Sequence, residues 1–222
     1  MSTQERSWPV PMALVALSAL PLTAGMFRLI QLAGGPALIP ADHRFAGFPL
    51  PLVVHLVGVM TYVLVGVLQF VPPFRRRHLA WHRRAGSVLA VAGLLVAVSA
   101  LWMTLFYQTK PGTGDVLFVL RLVFGSAMVV CLVRGVTAAR HRNIAAHRAW
   151  MIRAYAIGLA AGIQAFTGGI GGAIFGTGVL AGDLAKGAGW VINLAVAEWA
   201  IRRPVHGRVA LPAGPQRAGA LS

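Results

Sequence analysis

The amino-acid sequence predicts an all-α integral membrane protein with about six transmembrane helices. Apolar residues make up 57% of its 222 residues, and charged residues only 11%. Soluble domains carry about 25% charged residues, so this composition excludes an ordinary soluble domain. The apolar residues also fall in runs of about 20, the length that a helix needs to cross a bilayer. We therefore predict a single membrane domain over residues 1–203.

Six apolar runs are predicted to form the spanning helices, which we number one to six in chain order. They cover residues 10–32, 50–72, 85–107, 116–138, 153–176 and 186–201. The first run is longer than the core of a signal peptide, so we expect an uncleaved helix. The sixth is the shortest and needs part of residues 178–184 to span. Residues 168–182 are so rich in glycine that a break or a re-entrant turn is an alternative to a continuous helix.

Arginine residues are concentrated in alternate loops, namely 73–84 and 139–153, and in the C-terminal tail. The opposite loops mix a few cations with aspartates. These residues are Arg44, Lys110, Lys186, Asp42, Asp115 and Asp183. Because positive loops mark the cytoplasmic side, we expect a protein of the bacterial cytoplasmic (inner) membrane with both termini cytoplasmic. The tail over residues 204–222 lacks apolar periodicity and is expected to be disordered.

The formal net charge of +15 would point to nucleic acid if the protein were soluble. Here the topology of a membrane protein accounts for the charge, so we expect no nucleic-acid partner. The partners that the pattern predicts are the lipid bilayer and, at the arginine loops, anionic lipid headgroups.

Two stretches of the chain nearly repeat each other: residues 75–83 (RRRHLAWHR) and residues 140–148 (RHRNIAAHR). An offset of 65 residues aligns His147 with His82 and also Gly158 with Gly93. Helices two and three then form one hairpin, and helices four and five form its copy. Helices 2–5 are therefore predicted to form a four-helix bundle of two hairpins. The alternative is that any two arginine-rich cytoplasmic hairpins resemble each other without a duplication.

His82 and His147 are predicted to begin helices three and five at the same depth. Imidazole is the most common metal ligand, and axial histidines can hold haem iron. Glycines on these faces, Gly86 and Gly158, can leave room for a flat ligand or let two backbones touch. The first hypothesis is therefore bis-His ligation of haem b or another metal at the cytoplasmic end. The alternative is that both histidines cap helix ends or contact lipid phosphates.

Six further polar residues lie in or near the apolar runs. They are His55, Tyr62, Gln69, Arg121, Arg153 and Glu198. Ionisable residues inside membrane spans are costly and often functional. Glu198 is level with Arg153, which predicts an ion pair between them. The alternative for Glu198 is a proton relay or a role in orienting a histidine.

His55 lies in the outer part of helix two. The hydrocarbon core is about 30 Å thick, so His55 is too far from His82 to share a metal centre. We expect it to form a second, outer site with His43, or a polar interior contact with Tyr62 or Arg121.

Four short sequence motifs lie within or at the ends of the apolar runs. They are Gly66-x-x-Gln69-Phe70-x-Pro72, His82-Arg83-x-x-Gly86, His147-Arg148-x-Trp150-Met151-x-Arg153-x-Tyr155, and Asn193 through Glu198-Trp199. With these elements the chain resembles a bacterial family of multi-pass membrane proteins known only as a domain of unknown function. The resemblance covers roughly residues 50–203. It implies an integral membrane protein and brings no established activity, substrate or ligand.

Hydrolytic and nucleophilic catalysis are disfavoured, since the chain has only 5 acidic residues and none of the common phosphate-loop, zinc-protease or serine-hydrolase motifs. Three hypotheses for its role remain. A redox protein would bind haem b and exchange electrons with the quinone pool or a redox partner. A small transporter would line a polar path with His55, Tyr62, Gln69, Arg121 and Glu198. A non-catalytic accessory or scaffold protein would bind lipid through its arginine loops.

Overall fold

The computed structural model describes residues 9–203, which contain eight α-helices, one short 3-10 turn and no strand. The helices are α1 Pro9–Leu32, α2 Leu50–Gln69, α3 Pro72–Arg77, α4 Leu79–Phe106, α5 Asp115–Arg140, α6 Ile144–Gly158, α7 Ala160–Phe175 and α8 Val179–Arg202, with the 3-10 turn at His43–Phe45. The predicted disorder of the tail concerns residues outside this range.

Five of the helices (α1, α2, α4, α5 and α8) are long and apolar enough to cross a membrane. The pair α6 and α7 passes the same test together, although it is bent by 46°. The prediction of an all-α membrane protein with about six spans is therefore confirmed. Three helices begin six to nine residues earlier than the apolar runs predicted, at Leu79, Ile144 and Val179. The added turns of α4 and α6 carry arginine and histidine, whose long side chains can reach the membrane surface. The added turns of α8 instead carry Asp183, whose carboxylate accepts hydrogen bonds from backbone amides.

The glycine-rich stretch over residues 168–182 is not one continuous helix. Helix α7 ends at Phe175, and α8 begins at Val179 after Gly176, whose φ of 80° favours glycine. The bend within the fifth span lies elsewhere, at Leu159, between α6 and α7. The sequence analysis left the break at residues 176–178 open and did not predict the bend at Leu159.

The two predicted hairpins are present and pack against each other. Helix α2 packs along α4, α5 packs along α6, and the α4–α5 contact joins the two pairs. Helix α1 packs against α2 and α7, and α8 packs against α5, α6 and α7. The first helices of the hairpins begin at Leu50 and Asp115, and the second helices at Leu79 and Ile144. Both pairs of starts are 65 residues apart, which favours a duplication over chance similarity.

Two tyrosines hold the hairpins together in the centre of the bundle. The ring of Tyr62 lies between Gly93 of α4 and Gly158 of α6, where an added Cβ would stand 2.8 Å and 3.1 Å from the ring. The ring of Tyr155 covers Gly66, and its hydroxyl donates a hydrogen bond of 3.0 Å to the Val63 carbonyl. Glycine at these positions lets bulky rings pass between backbones, which is a common packing device in membranes.

Candidate functional site

Several helix termini contact each other at one end of the bundle, which we call the arginine-rich end. It comprises the end of α2, the helix α3, the starts of α4 and α6, and the end of α8. Arg75 donates to the Gln69 carbonyl at 3.4 Å, and Arg148 donates to the Ala200 carbonyl at 3.1 Å. A cation on the last carbonyls of a helix satisfies orphan acceptors and complements the helix dipole. These arginines therefore connect neighbouring helix ends.

His82 and His147 occupy equivalent positions at this end. Each is the fourth residue of its helix, α4 or α6. Each backbone N–H donates 2.9 Å to the carbonyl of the residue that precedes the helix, His78 or Asn143. The prediction that these two histidines start equivalent helices is confirmed.

Both imidazoles form a hydrogen bond through Nδ1 to the first helix of their own hairpin. His147 Nδ1 donates to the Gly135 carbonyl of α5 at 2.9 Å, and His82 Nδ1 is hydrogen-bonded to the side-chain amide of Gln69 of α2. A backbone carbonyl only accepts, so the neutral ring of His147 carries its proton on Nδ1 and its lone pair on Nε2. The 65-residue offset aligns Gln69 with residue 134, so the partner of His147, Gly135, lies one residue beyond the equivalent position. Neither imidazole is hydrogen-bonded to its own helix.

Several positive charges lie near His82. Arg75, Arg83 and His147 lie close enough to His82 for their charges to act on it. Burial lowers the pKa of the Arg75 guanidinium, and the charges of Arg76 and Arg148 lower it further. Arginine nevertheless remains charged at physiological pH. An anionic group placed among these side chains would therefore be stabilised.

The two glycines predicted to leave room for a ligand have different surroundings. Gly86 lies one turn after His82, and nothing lies within 4 Å of an added Cβ there, so open space adjoins that histidine. Gly158 lies about 16 Å along the chain from His147, at 1.5 Å per residue, and the Tyr62 ring fills the space beside it.

Glu198 and Arg153 form a bidentate ion pair, with distances of 2.5 Å and 3.0 Å. The predicted ion pair is therefore confirmed. Trp150 stacks on the Arg153 guanidinium at 4.9 Å from the ring centroid. The suggested role of Glu198 in orienting a histidine is not supported by the contacts of His147, because the Gly135 carbonyl orients that ring.

His55 contacts α4 instead of the expected partners Tyr62 and Arg121. Its Nδ1 lies 3.1 Å from the Val96 carbonyl and 3.2 Å from Ser99 Oγ. Along α2 it is about 21 Å from Gln69, at 1.5 Å per residue. The polar residues of the transport hypothesis therefore make contacts in different parts of the bundle. Gln69 is hydrogen-bonded to His82, and Glu198 is paired with Arg153.

Sequence reasoning missed the role of Asp183, which it assigned to a loop. Asp183 lies in α8, is only 1% exposed, and accepts hydrogen bonds from the Gly114 and Leu117 amides at 2.9 Å and 3.1 Å. It therefore caps the start of α5 from another helix. A lone carboxylate in an apolar stretch was the available signal, since such a group requires partners.

The helices, their apolar surfaces and the paired ends define a multi-pass α-helical membrane protein. Residues 52–201 match the model of a family described as predicted membrane protein (DUF2306). Since that match covers more than half of the chain, the protein belongs to this family, whose function is unknown. No curated protein and no solved structure matches the chain.

Proposed function

We propose that the arginine-rich end binds a haem b through His82 and His147, and that the protein transfers electrons within the membrane. The observation that carries this proposal is the matched presentation of the two imidazoles. Each ring is held through Nδ1 by the first helix of its own hairpin, and for His147 the partner is a backbone carbonyl. Histidines that ligate metals usually donate their other N–H to a carbonyl or carboxylate in this way.

The number of ligands favours haem over a bare metal ion. Among residues 9–203, no group of three or more His, Cys, Asp or Glu side chains is arranged to hold a metal. A structural zinc site needs about four protein ligands. Haem supplies most of the ligands of its iron itself, so His82 and His147 would be sufficient to hold it.

The arginines suit the remaining chemistry of haem. Its two propionate groups are anionic, and the charges of Arg75 and Arg83 act on His82, with Arg148 near Arg75. Guanidinium groups bind carboxylates through paired hydrogen bonds. The space at Gly86 adjoins His82 on the same helix face and would admit part of a flat ring.

A haem at this site would supply one-electron chemistry near the membrane surface, with a quinone or a redox protein as the partner. The residues of this chain would hold the iron, pair the propionates and fix the orientation of both imidazoles. By the distribution of arginines, this end faces the cytoplasm and both termini lie there, in a bacterial inner membrane.

The test is the optical spectrum of the protein purified from haem-supplemented cells. We expect a Soret band that shifts on reduction and is lost or strongly altered in His82→Ala and His147→Ala. His141→Ala is the matched control, because His141 is exposed at the same end, and its spectrum should equal that of the wild type. A folded, monodisperse wild type without a Soret band would refute the proposal and favour the lipid-binding accessory role.

A further inference from the structure

A second candidate site lies at the end of the bundle opposite the arginines, in a cavity of about 530 Å³. Residues of α1, α5, α7 and α8 and of the loop between α4 and α5 line it, and it is open to the outside on one side. We call it the basic cavity and define it by Lys110, Arg121, Gln164 and Lys186, with Leu20 and Ala24 of α1 as its apolar wall. None of these residues takes part in the proposed haem site.

The cations of the basic cavity lack a carboxylate partner. Three ion pairs occur among residues 9–203, and none of them involves Lys110, Arg121 or Lys186. The carboxylate that acts on both Arg121 and Lys186 is Asp183. Its Oδ2 is occupied by two backbone amides, and its buried Oδ1 has no hydrogen-bond partner. One such carboxylate leaves the cavity with an excess of positive charge.

The position of Arg121 makes this excess costly. Arg121 is the seventh residue of α5, about 9 Å from the helix start at 1.5 Å per residue. A charged side chain at that depth in a membrane span is unfavourable unless it meets water or a partner. Gln164 donates to the Lys186 carbonyl at 3.0 Å and so fixes α7 against α8 beside the cations. This hydrogen bond holds one wall of the cavity in place.

We propose that the basic cavity binds an amphiphilic anion, with a phosphate or carboxylate group on Arg121 and Lys186 and an apolar part along α1. Guanidinium and ammonium groups bind these anions through charge-assisted hydrogen bonds. Two sources share this chemistry: the headgroup of an anionic phospholipid and a free anionic metabolite.

The experiment measures binding to delipidated protein in neutral detergent. The probes are phosphatidylglycerol, phosphatidylcholine and inorganic phosphate, and the readouts are the thermal midpoint and native mass spectrometry. We expect phosphatidylglycerol or phosphate to bind and to raise the midpoint, whereas phosphatidylcholine should not. Binding of phosphatidylglycerol alone would identify a lipid site, whereas binding of phosphate alone would identify a site for free anions and would overturn the apolar part of the proposal.

Charge variants assign the binding to this cavity. Arg121→Gln and Lys186→Gln should each weaken binding about tenfold or more, the usual effect of losing a charge-assisted hydrogen bond. Arg121→Lys keeps the charge and should retain most of the affinity. Arg140→Gln removes the same charge at an exposed position of the other end and should bind like the wild type. The proposal fails if the wild type binds neither anion, or if Arg140→Gln weakens binding as much as the cavity variants.

Discussion

The first hairpin (α2, α3 and α4) and the second (α5 and α6) carry a histidine at the same position, yet the chain interrupts them in different places. In the first hairpin the interruption follows Gln69, where Pro72 and Pro73 begin the short helix α3. In the second hairpin α5 continues unbroken to Arg140, and the bend comes later, at Leu159. Proline lacks an N–H donor, which explains the first interruption.

The difference teaches which features of the hairpin the fold uses twice. Both copies anchor an imidazole to the preceding helix, through Gln69 in one and the Gly135 carbonyl in the other. Both also present a glycine to the same tyrosine, since Gly93 and Gly158 lie on the two sides of Tyr62. The two hairpins differ in where their helices are interrupted and in whether a side chain caps the start of their first helix. Substitutions at three places probe these likenesses and differences.

The largest effect is expected at the paired glycines. Gly93→Ala places a Cβ 2.8 Å from Tyr62 and 3.0 Å from Leu132, whereas Gly158→Ala places it 3.1 Å from Tyr62. Overpacking of a tight core costs about 1–3 kcal/mol, so Gly93→Ala should lower the thermal midpoint more than Gly158→Ala does. Tryptophan fluorescence during heating measures the midpoint.

Gly168→Ala is the control for these variants, because nothing lies within 4 Å of a Cβ at Gly168. It should be neutral or stabilising, by up to about 1 kcal/mol of helix propensity. In a Tyr62→Ala background, Gly93→Ala should cost much less. Equal midpoints for Gly93→Ala and Gly168→Ala would contradict the packing of Tyr62 between the hairpins.

The start of each hairpin gives the next effect. Helix α2 begins after Pro49 without a side-chain cap, whereas Asp183 caps α5 from α8. Asp183→Ala leaves the Gly114 and Leu117 amides without their acceptor, at a cost of about 2 kcal/mol. Asp183→Asn keeps an acceptor oxygen and should cost less. Asp115→Ala, at an exposed residue of the same helix turn, should change stability by about 0.5 kcal/mol, and a larger effect there than at Asp183 would contradict the cap.

The sequence was informative where one residue type or one local pattern carries the signal. Long apolar runs predict the spans, and the repeated His-Arg pair predicts two equivalent helix starts. The Glu198–Arg153 pair followed from their common depth. By contrast, the contacts of Tyr62 with Gly93 and Gly158 join residues far apart in the chain. Hydropathy describes how each segment meets lipid, and it contains no information on which faces of two helices meet.

Asp183 and the basic cavity both depend on contacts between segments that are distant in the chain, and local sequence patterns do not predict such contacts. The apolar run that predicts helix six begins at residue 186, so the sequence places Asp183 in a loop. The buried carboxylate became interpretable once α8 was seen to begin at Val179 and to lie beside the start of α5. Arg121 was recognised as an unusual charge, but its neighbours Lys110 and Lys186 come from other segments.

The segments that precede the two hairpins are hydrogen-bonded to each other. Substitutions there are expected to have the smallest effect on stability. Before the first hairpin, Arg44 binds Asp42 at 2.6 Å and 2.8 Å, and it also donates to the Gln108 carbonyl before the second hairpin at 3.3 Å. The hydrogen bond from Arg44 holds the pKa of the Asp42 carboxyl below its usual value. A lowered pKa in the folded state stabilises the protein above the unfolded value, about 3.9. This stabilisation is lost as the pH falls through the lower folded value.

We therefore expect the thermal midpoint of the wild type to decline below about pH 4 by an amount that Asp42→Asn removes, worth about 0.5 kcal/mol for a partly exposed pair. Arg44→Gln should flatten the same acid limb, because it removes the group that lowers the pKa of Asp42. Midpoints measured from pH 6 to pH 3 compare the three proteins. If the acid limb has the same depth in all of them, the Asp42–Arg44 pair does not contribute to the junction of the hairpins. A shallower limb in both variants would show that this junction adds a small, pH-dependent share to stability.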